Sequence, residues 1–180
     1  MSKFTRFTAE QHLVYDPIAT RTLKKEYRRV VEGFRYYIGN EGSNRYVDVP
    51  ACFLTDGASV PVFLHWLIRP YGDYAQACTL HDYLCEHYEI TVVTNGVAAQ
   101  VKIDRKEIDR ILYEAMRVLE INAVSRNLIQ VGVDGYRFFT NPKKPFVNKK
   151  KVELENEEAC KRNRASSPFG GDYPHQHVTR

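Results

Sequence analysis

The feature that most constrains this chain is a change in the spacing of its apolar residues near Pro61. Before it, residues 26–38 and 45–54 are rich in Tyr, Val and Phe and alternate as strands do. The Gly- and Asn-rich segment between them predicts a hairpin loop. After Pro61, apolar residues recur at helical spacing. This order predicts an α+β fold, in which an N-terminal antiparallel β hairpin or sheet precedes three or four helices.

The helical half divides into segments at recognisable caps and turns. Asp73 is a plausible N-cap for a helix that ends near Tyr88, and Asp104 is predicted to cap a strongly amphipathic helix that ends near Leu119. The other two predicted helices cover residues 62–68 and residues 123–139, the latter broken or bent near Gly132 and Gly135. Residues 91–101 are predicted to form a loop or a small hairpin.

Length and charge predict one domain and a tail. A chain of 180 residues with 43% apolar content can bury one core, which we place in residues 1–139. Residues 140–180 carry nine Lys and Arg against five Asp and Glu and few core-forming residues, which predicts a basic, low-order tail or a docking arm. Because the remaining charges balance, sequence-specific nucleic-acid binding is not expected. We also expect no signal peptide, no membrane span and four reduced cysteines.

An adjacent His-Asp pair is the first candidate for chemistry. His81 and Asp82 stand in an apolar helical stretch, ACTLHDYLCEHY, and adjacent helical side chains point about 100° apart. One can therefore act in a pocket while the other holds a metal or a second partner. The alternative interpretation is a pair on the helix surface that only forms hydrogen bonds.

Two more carboxylates complete the candidate site. Asp109 lies beside the apolar stripe of the next helix, where it could orient the imidazole of His81, or else form an ion pair with Arg105, Arg110 or Arg126. Asp56, in TDGASVP, stands in a turn where its carboxylate could meet a hard cation, although Asp-Gly is also an ordinary turn signal.

Three separated motifs carry a resemblance to a known family. VPACFLTDGASVP, ACTLHDYL and RKEIDRILYEAM occur in that order, and they resemble the phage and prophage family known as domain of unknown function 1353, over approximately residues 28–139. Ile108 and Leu112 depart from the family pattern without changing a polar group. The resemblance implies a phage or prophage origin, with location in the cytoplasm of an infected bacterial host or in the virion, but it implies no reaction.

A looser resemblance suggests a mechanism by analogy. Phospholipases A2 also place a His-Asp pair on one helix and a second Asp on an antiparallel helix. The analogy implies that His81 is the general base, Asp109 orients it, and Asp82 binds a divalent cation. Asp56, from its own turn, is the second predicted ligand of that cation. Ca²⁺ is the first choice, and Zn²⁺ or Mg²⁺ stays open. The chain lacks that family's glycine-rich calcium loop, unless TDGASVP replaces it, and its disulfides.

The sequence therefore predicts a metal-assisted hydrolase of an ester, phospholipid-like or related bond. The alternative is a non-enzymatic phage virion or tail accessory protein in which the same residues are structural. Its partners would be phage structural proteins or a host factor, bound through residues 140–180. A small inhibitor of a host protein is a third possibility. Convergence of the four residues in a cleft favours the enzyme, and their dispersal into separate ion pairs favours a structural role.

Overall fold

The chain folds into two antiparallel sheets and five helices in the computed structural model, which describes residues 6–57, 72–140, 145 and 148–156. The strands are β1 (Leu13–Tyr15), β2 (Arg28–Val30), β3 (Phe34–Tyr37), β4 (Arg45–Val49), β5 (Leu54–Thr55), β6 (Glu89–Thr94) and β7 (Val97–Lys102). The helices are α1 (Pro17–Leu23), α2 (Ala75–His87), α3 (Arg105–Val118), α4 (Ala123–Thr140) and α5 (Lys149–Glu155). The predicted α+β class is confirmed, but the described residues contain five helices where three or four were predicted, and α1 lies among the N-terminal strands.

The strand segments predicted from 26–38 and 45–54 divide between the two sheets. β3 pairs with β4 as the predicted hairpin, and the four-stranded sheet has the order β3-β4-β6-β7. β2 belongs instead to a three-stranded sheet of order β1-β2-β5. The separation occurs at Gly33, where an added Cβ would lie 2.9 Å from the carbonyl oxygen of Val49. Gly33 therefore permits a close approach of two backbone segments that no larger residue would allow.

The hairpin predicted for residues 91–101 is present as β6 and β7. Asn95 and Gly96 form its two-residue turn, and both have positive φ angles, 52° and 80°. That geometry is the one in which an Asn-Gly turn matches the twist of the flanking strands. The hairpin alternative is thus correct.

The helices agree with the predicted caps in part. Asp104 caps α3 by accepting a hydrogen bond from the backbone N–H of Glu107. The N-cap of α2 is Tyr74 rather than Asp73, and it makes no side-chain cap hydrogen bond. α4 extends through Gly132 and Gly135 as one helix, although a break or bend near them was predicted. The helix predicted at residues 62–68 lies outside the described residues.

The main core lies between the four-stranded sheet and helices α2, α3 and α4. It includes the fully buried Tyr36, Leu80, Leu84, Ile111 and Met116. α3 packs against both α2 and α4, so its inward face is surrounded by helices. None of the helices in the described ranges is long and apolar enough to cross a membrane.

A second, smaller core brings α1, β5 and α5 together. Ala19 of α1, Leu54 of β5 and Leu154 of α5 pack together, and Arg29 donates hydrogen bonds to the carbonyl oxygen of Leu154. α5 lies within the segment for which a low-order tail or a docking arm was predicted, and here it docks on its own chain. Cys52 takes part in a disulfide, so the prediction of four reduced cysteines is wrong at that residue.

Candidate functional site

Helix α2 carries His81 and Asp82, and their side chains enter different surroundings. His81 is buried and faces α3, whereas Asp82 is partly buried and reaches β5. Adjacent residues on an α-helix diverge by about 100°, which accounts for the separation. The four predicted residues therefore lie in two groups and do not converge in one cleft, which was the arrangement expected to favour an enzyme. We call them the His81 network (His81, Cys85, Arg105, Asp109 and Arg137) and the Asp82 cluster (Thr55, Asp56, Asp82, Glu86, Lys151 and Glu155).

The His81 network contains the predicted contact between α2 and α3. His81 Nε2 lies 3.0 Å from Asp109 Oδ1, and only 1% of the Asp109 side chain is exposed. Asp109 reaches this position because the apolar stripe of α3 turns it toward the other helices, with Ile108 and Leu112 buried on the same helix. A carboxylate can only accept a hydrogen bond, so this contact puts a proton on Nε2 and leaves Nδ1 as the unprotonated nitrogen.

Asp109 also forms an ion pair with an arginine, which was the alternative to its role in orienting His81. Arg105 Nε donates to Asp109 Oδ1 at 2.9 Å, and Arg137 Nη1 donates to Asp109 Oδ2 at 2.6 Å. The other two arginines considered have different partners, since Arg110 pairs with Glu107 and Arg126 donates to the carbonyl oxygen of Ile121. The carboxylate thus orients His81 and ties α3 to α4 at the same time.

Burial controls the ionisation of His81 and Cys85. Desolvation lowers the pKa of His81, and the charge of Arg105 lowers it further, while the hydrogen bond to Asp109 acts in the opposite direction. The imidazole is therefore neutral near pH 7. Cys85 Sγ lies 3.7 Å from both ring nitrogens of His81, and burial raises the pKa of this thiol. A buried thiol of that kind is protonated and weakly nucleophilic.

Asp82 lies on the other side of α2, where it accepts a hydrogen bond from a hydroxyl group of β5. Thr55 Oγ1 donates to Asp82 Oδ2 at 2.7 Å and accepts from the backbone N–H of Gly57 at 3.1 Å. Asp56, beside Thr55, forms an ion pair with Lys25. Gly57 has a φ of 72°, which is the conformation that the Asp-Gly turn signal predicts. Ser59 and Pro61 of the same motif lie outside the described residues.

The Asp82 cluster is rich in negative charge. Lys151 of α5 is 3% exposed and pairs with Glu86, while its Nζ lies 3.6 Å from a carboxylate oxygen of Glu155. Burial, then the charge of Asp56, raises the pKa of Asp82 well above its usual range. Burial also raises the pKa of Glu155 to about 7. One buried ammonium group therefore serves several carboxylates.

A cation was predicted at Asp82 and Asp56, and the described residues do not by themselves fit it. Their carboxylates are hard oxygen donors of the type that Ca²⁺ and Mg²⁺ take, but such ions need six or more oxygen ligands. Among the residues that the structure describes, no group of three or more His, Cys, Asp or Glu side chains could hold a metal ion. Asp56 already has Lys25 as its partner, and Asp82 has Thr55.

Some members of these groups could be found in the sequence and others could not. Cys85 follows His81 by four residues and Arg105 precedes Asp109 by four, so both pairs share a helix face. Arg137 and Lys151 give no such signal, because they reach the groups from helices far away in the chain. Lys151 in particular stands in a segment whose composition predicts a tail.

The comparisons with known proteins identify the family. Residues 28–133 match a family described as a protein of unknown function (DUF1353), and the chain belongs to it. The match includes Thr55, Asp56, His81, Asp82 and Asp109, but it ends before Arg137 and α5. No curated protein and no solved structure matches this chain.

Proposed function

We propose that this chain is a hydrolase of an ester or a related acyl or phosphoryl bond, with His81 as its general base and Asp109 as the residue that positions it. The observation that supports this most directly is the 3.0 Å contact between His81 Nε2 and Asp109 Oδ1. A base that activates the nucleophile and is itself oriented by a carboxylate on a second element is one arrangement that catalyses such hydrolysis.

His81 would take a proton from water through Nδ1. Burial keeps the imidazole neutral near pH 7, so Nδ1 can accept a proton while Nε2 remains bound to Asp109. Arg105 and Arg137 lie next to this pair and bind the Asp109 carboxylate that positions His81. Arg137 also lines a surface depression of about 560 Å³ with Asp134 and Phe138, but neither His81 nor Asp109 lines it.

A divalent cation at Asp82 and Asp56 remains a prediction and has no step in this mechanism. Its test is calorimetric titration of metal-free protein with Ca²⁺, Mg²⁺, Mn²⁺ and Zn²⁺, on the wild type and on Asp82→Asn. Heat of binding that is lost in the variant supports the site. No binding of any of the four ions to either protein removes the cation from the proposal but leaves His81 as the base.

The experiment for the hydrolase is a screen of p-nitrophenyl esters, bis-p-nitrophenyl phosphate and phospholipid vesicles against the wild type, His81→Asn and His87→Asn. His87 is the matched control because it is an exposed histidine on the same helix. General-base catalysis predicts a loss of about 100-fold or more in His81→Asn and little change in His87→Asn. Equal activity of the two variants contradicts the proposal.

A second candidate function is favoured by the way Asp109 is paired. Both carboxylate oxygens of Asp109 bind arginines, and 1% of its side chain is exposed. The His81 network therefore also holds α2, α3 and α4 together. This supports the non-enzymatic alternative, a phage- or prophage-encoded virion or tail accessory protein. It predicts that His81→Asn lowers the free energy of unfolding while no substrate in the screen is turned over by the wild type.

A further inference from the structure

The two edge strands of the four-stranded sheet, β3 and β7, differ in whether another segment of the chain pairs with them. The β3 edge is covered by an N-terminal segment, since the backbone N–H of Thr8 donates to Arg35 and the backbone N–H of Tyr37 donates to Arg6, with Phe7 bridged to Tyr36. At the other edge, β7 pairs with β6 and with no other strand in the described part of the chain. Among the described residues, therefore, one edge is covered and the other is open.

The open strand has few of the features that protect natural edges. Its sequence is VAAQVK, and all six residues are exposed, with Val97 at 68% and Val101 at 42%. It contains no proline, and its one charge is Lys102 at the end. Short length, charges and proline are the usual means of preventing edge-to-edge pairing, so a six-residue edge with a single terminal charge is available for another strand.

The hairpin geometry determines which backbone groups point outward. The backbone N–H of Ile103 donates to Tyr88 at 2.9 Å, and the two-residue turn joins Thr94 to Val97. Hydrogen-bonded and non-hydrogen-bonded pairs alternate in an antiparallel ladder, so Val97, Ala99 and Val101 bond to β6. The N–H and C=O groups of Ala98, Gln100 and Lys102 therefore point to the open edge.

The side chains on one face of β7 continue the apolar surface of the sheet. Val101 stands opposite Ile90 of β6, and Ala99 stands opposite Val92. Ile90 belongs to the main core and Val92 packs against it. Val97, Ala99 and Val101 lie on that same face of the sheet, but beyond the part that the helices cover.

We propose that β7 pairs antiparallel with β7 of a second copy of this chain, on a two-fold axis at Ala99. In this register Val97 faces the partner subunit's Val101, and Ala98 exchanges backbone hydrogen bonds with the partner subunit's Gln100. The two four-stranded sheets become one continuous sheet of eight. This inference is independent of the proposed hydrolysis.

The edge fits its own copy for three reasons. The two-fold axis matches the outward N–H and C=O groups of Ala98 with those of the partner subunit's Gln100 and places valine against valine on the apolar face. Antiparallel pairing keeps the two Lys102 side chains at opposite ends, whereas parallel pairing would place them side by side. Because the β3 edge is already covered, the assembly closes at two copies and does not extend into a fibre.

The first test is sedimentation velocity over a concentration series of the full chain, for the wild type, Ala98→Pro and Ala98→Ser. Proline at residue 98 removes an outward N–H and leaves the hydrogen bonds to β6 intact, while serine retains that N–H. We expect a concentration-dependent dimer in the wild type and Ala98→Ser, and a dissociation constant raised about ten-fold or more in Ala98→Pro. A wild type that stays monomeric overturns the proposal, as does a folded Ala98→Pro, verified by circular dichroism, that dimerises as tightly as Ala98→Ser.

The second test locates the axis by disulfide formation. Residues directly opposite at a non-hydrogen-bonded position have Cα atoms about 4.5 Å apart, within the range for a disulfide. Ala99→Cys should form a covalent dimer under mild oxidation, whereas the two copies of Val101→Cys would lie about 13 Å apart and should not. The wild type gives the background from Cys78 and Cys85. Equal cross-linking of the two variants contradicts this register.

Discussion

The two sides of helix α2 contain buried ion networks with opposite arrangements of charge. In the His81 network one buried carboxylate, Asp109, is shared by two guanidinium groups and an imidazole. In the Asp82 cluster one buried ammonium group, Lys151, is shared by carboxylates that include Glu86 and Glu155. The first has more cationic than anionic partners, and the second has the reverse.

The difference shows how residues adjacent in sequence can serve different purposes. On the Asp109 side, burial and then the charge of Arg105 lower the pKa of His81 and keep its imidazole neutral. On the Lys151 side, burial and then the charges of neighbouring carboxylates raise the pKa values of Asp82 and Glu155, so both groups hold protons at higher pH than usual. The following substitutions test each side in turn, beginning with the largest expected effect.

Replacement of Asp109 should be the most damaging change. Asp109→Asn removes the negative charge that Arg105 and Arg137 share, and leaving a buried ion pair without one partner costs about 4 kcal/mol in the free energy of unfolding. Urea denaturation followed by circular dichroism measures it. Asp134→Asn is the control, because Asp134 pairs with the same Arg137 but is 43% exposed, and it should cost less than about 1 kcal/mol. Similar losses in the two variants would contradict the comparison.

Loss of Lys151 should be nearly as costly on the other side. Lys151→Met leaves Glu86 and Glu155 without their cation and should lower the free energy of unfolding by about 3 kcal/mol. Lys150→Met, at an exposed position of the same helix, should change it little. The same denaturation experiment applies. If the two variants are equally stable, α5 is not held by this ion pair.

Glu155 gives a pH dependence with a definite sign. Its pKa is raised to about 7 in the folded protein and lies near 4.5 in the unfolded chain, so the folded protein keeps a proton that the unfolded chain has released. The stability from this group is present below pH 4.5 and is lost as the pH rises through 7. The free energy of unfolding of the wild type should therefore fall by about 2 kcal/mol relative to Glu155→Gln between pH 4 and 8. A constant difference between the two profiles would show that Glu155 titrates normally.

The smallest effect compares two buried threonines. Thr55→Val removes a hydroxyl that bonds both Asp82 and the backbone of Gly57, and should cost about 1 kcal/mol. Thr79 is also buried, but its hydroxyl has no hydrogen-bond partner among the described residues, so Thr79→Val should be neutral or stabilising. Thermal unfolding of the two variants measures this difference in stability. An equal loss of stability in both would argue against a special role for the hydroxyl of Thr55.

Local signals predicted those parts of the fold that local physics controls. The Asp104 cap, the Asn95-Gly96 turn and the amphipathic stripe of α3 all depend on residues close together in the chain. The inward orientation of Asp109 follows from that stripe, so its contact with His81 was predictable. The helix break at Gly132 was not borne out, because the packing of α4 against α3 overrides the weak helix propensity of glycine.

The sequence by itself determined the α+β class, the main turns and caps, and the residue types that a site would need. Only the tertiary structure decided their partners: that β2 and β3 enter different sheets, that Arg137 completes the charge balance of Asp109, and that Lys151 returns to the Asp82 cluster. The physical reason is the distance along the chain over which each kind of interaction acts. Periodicity and capping act over a few residues, whereas the pairing of buried charges depends on which distant segments the chain brings together, and the spacing of residues along the sequence does not encode that.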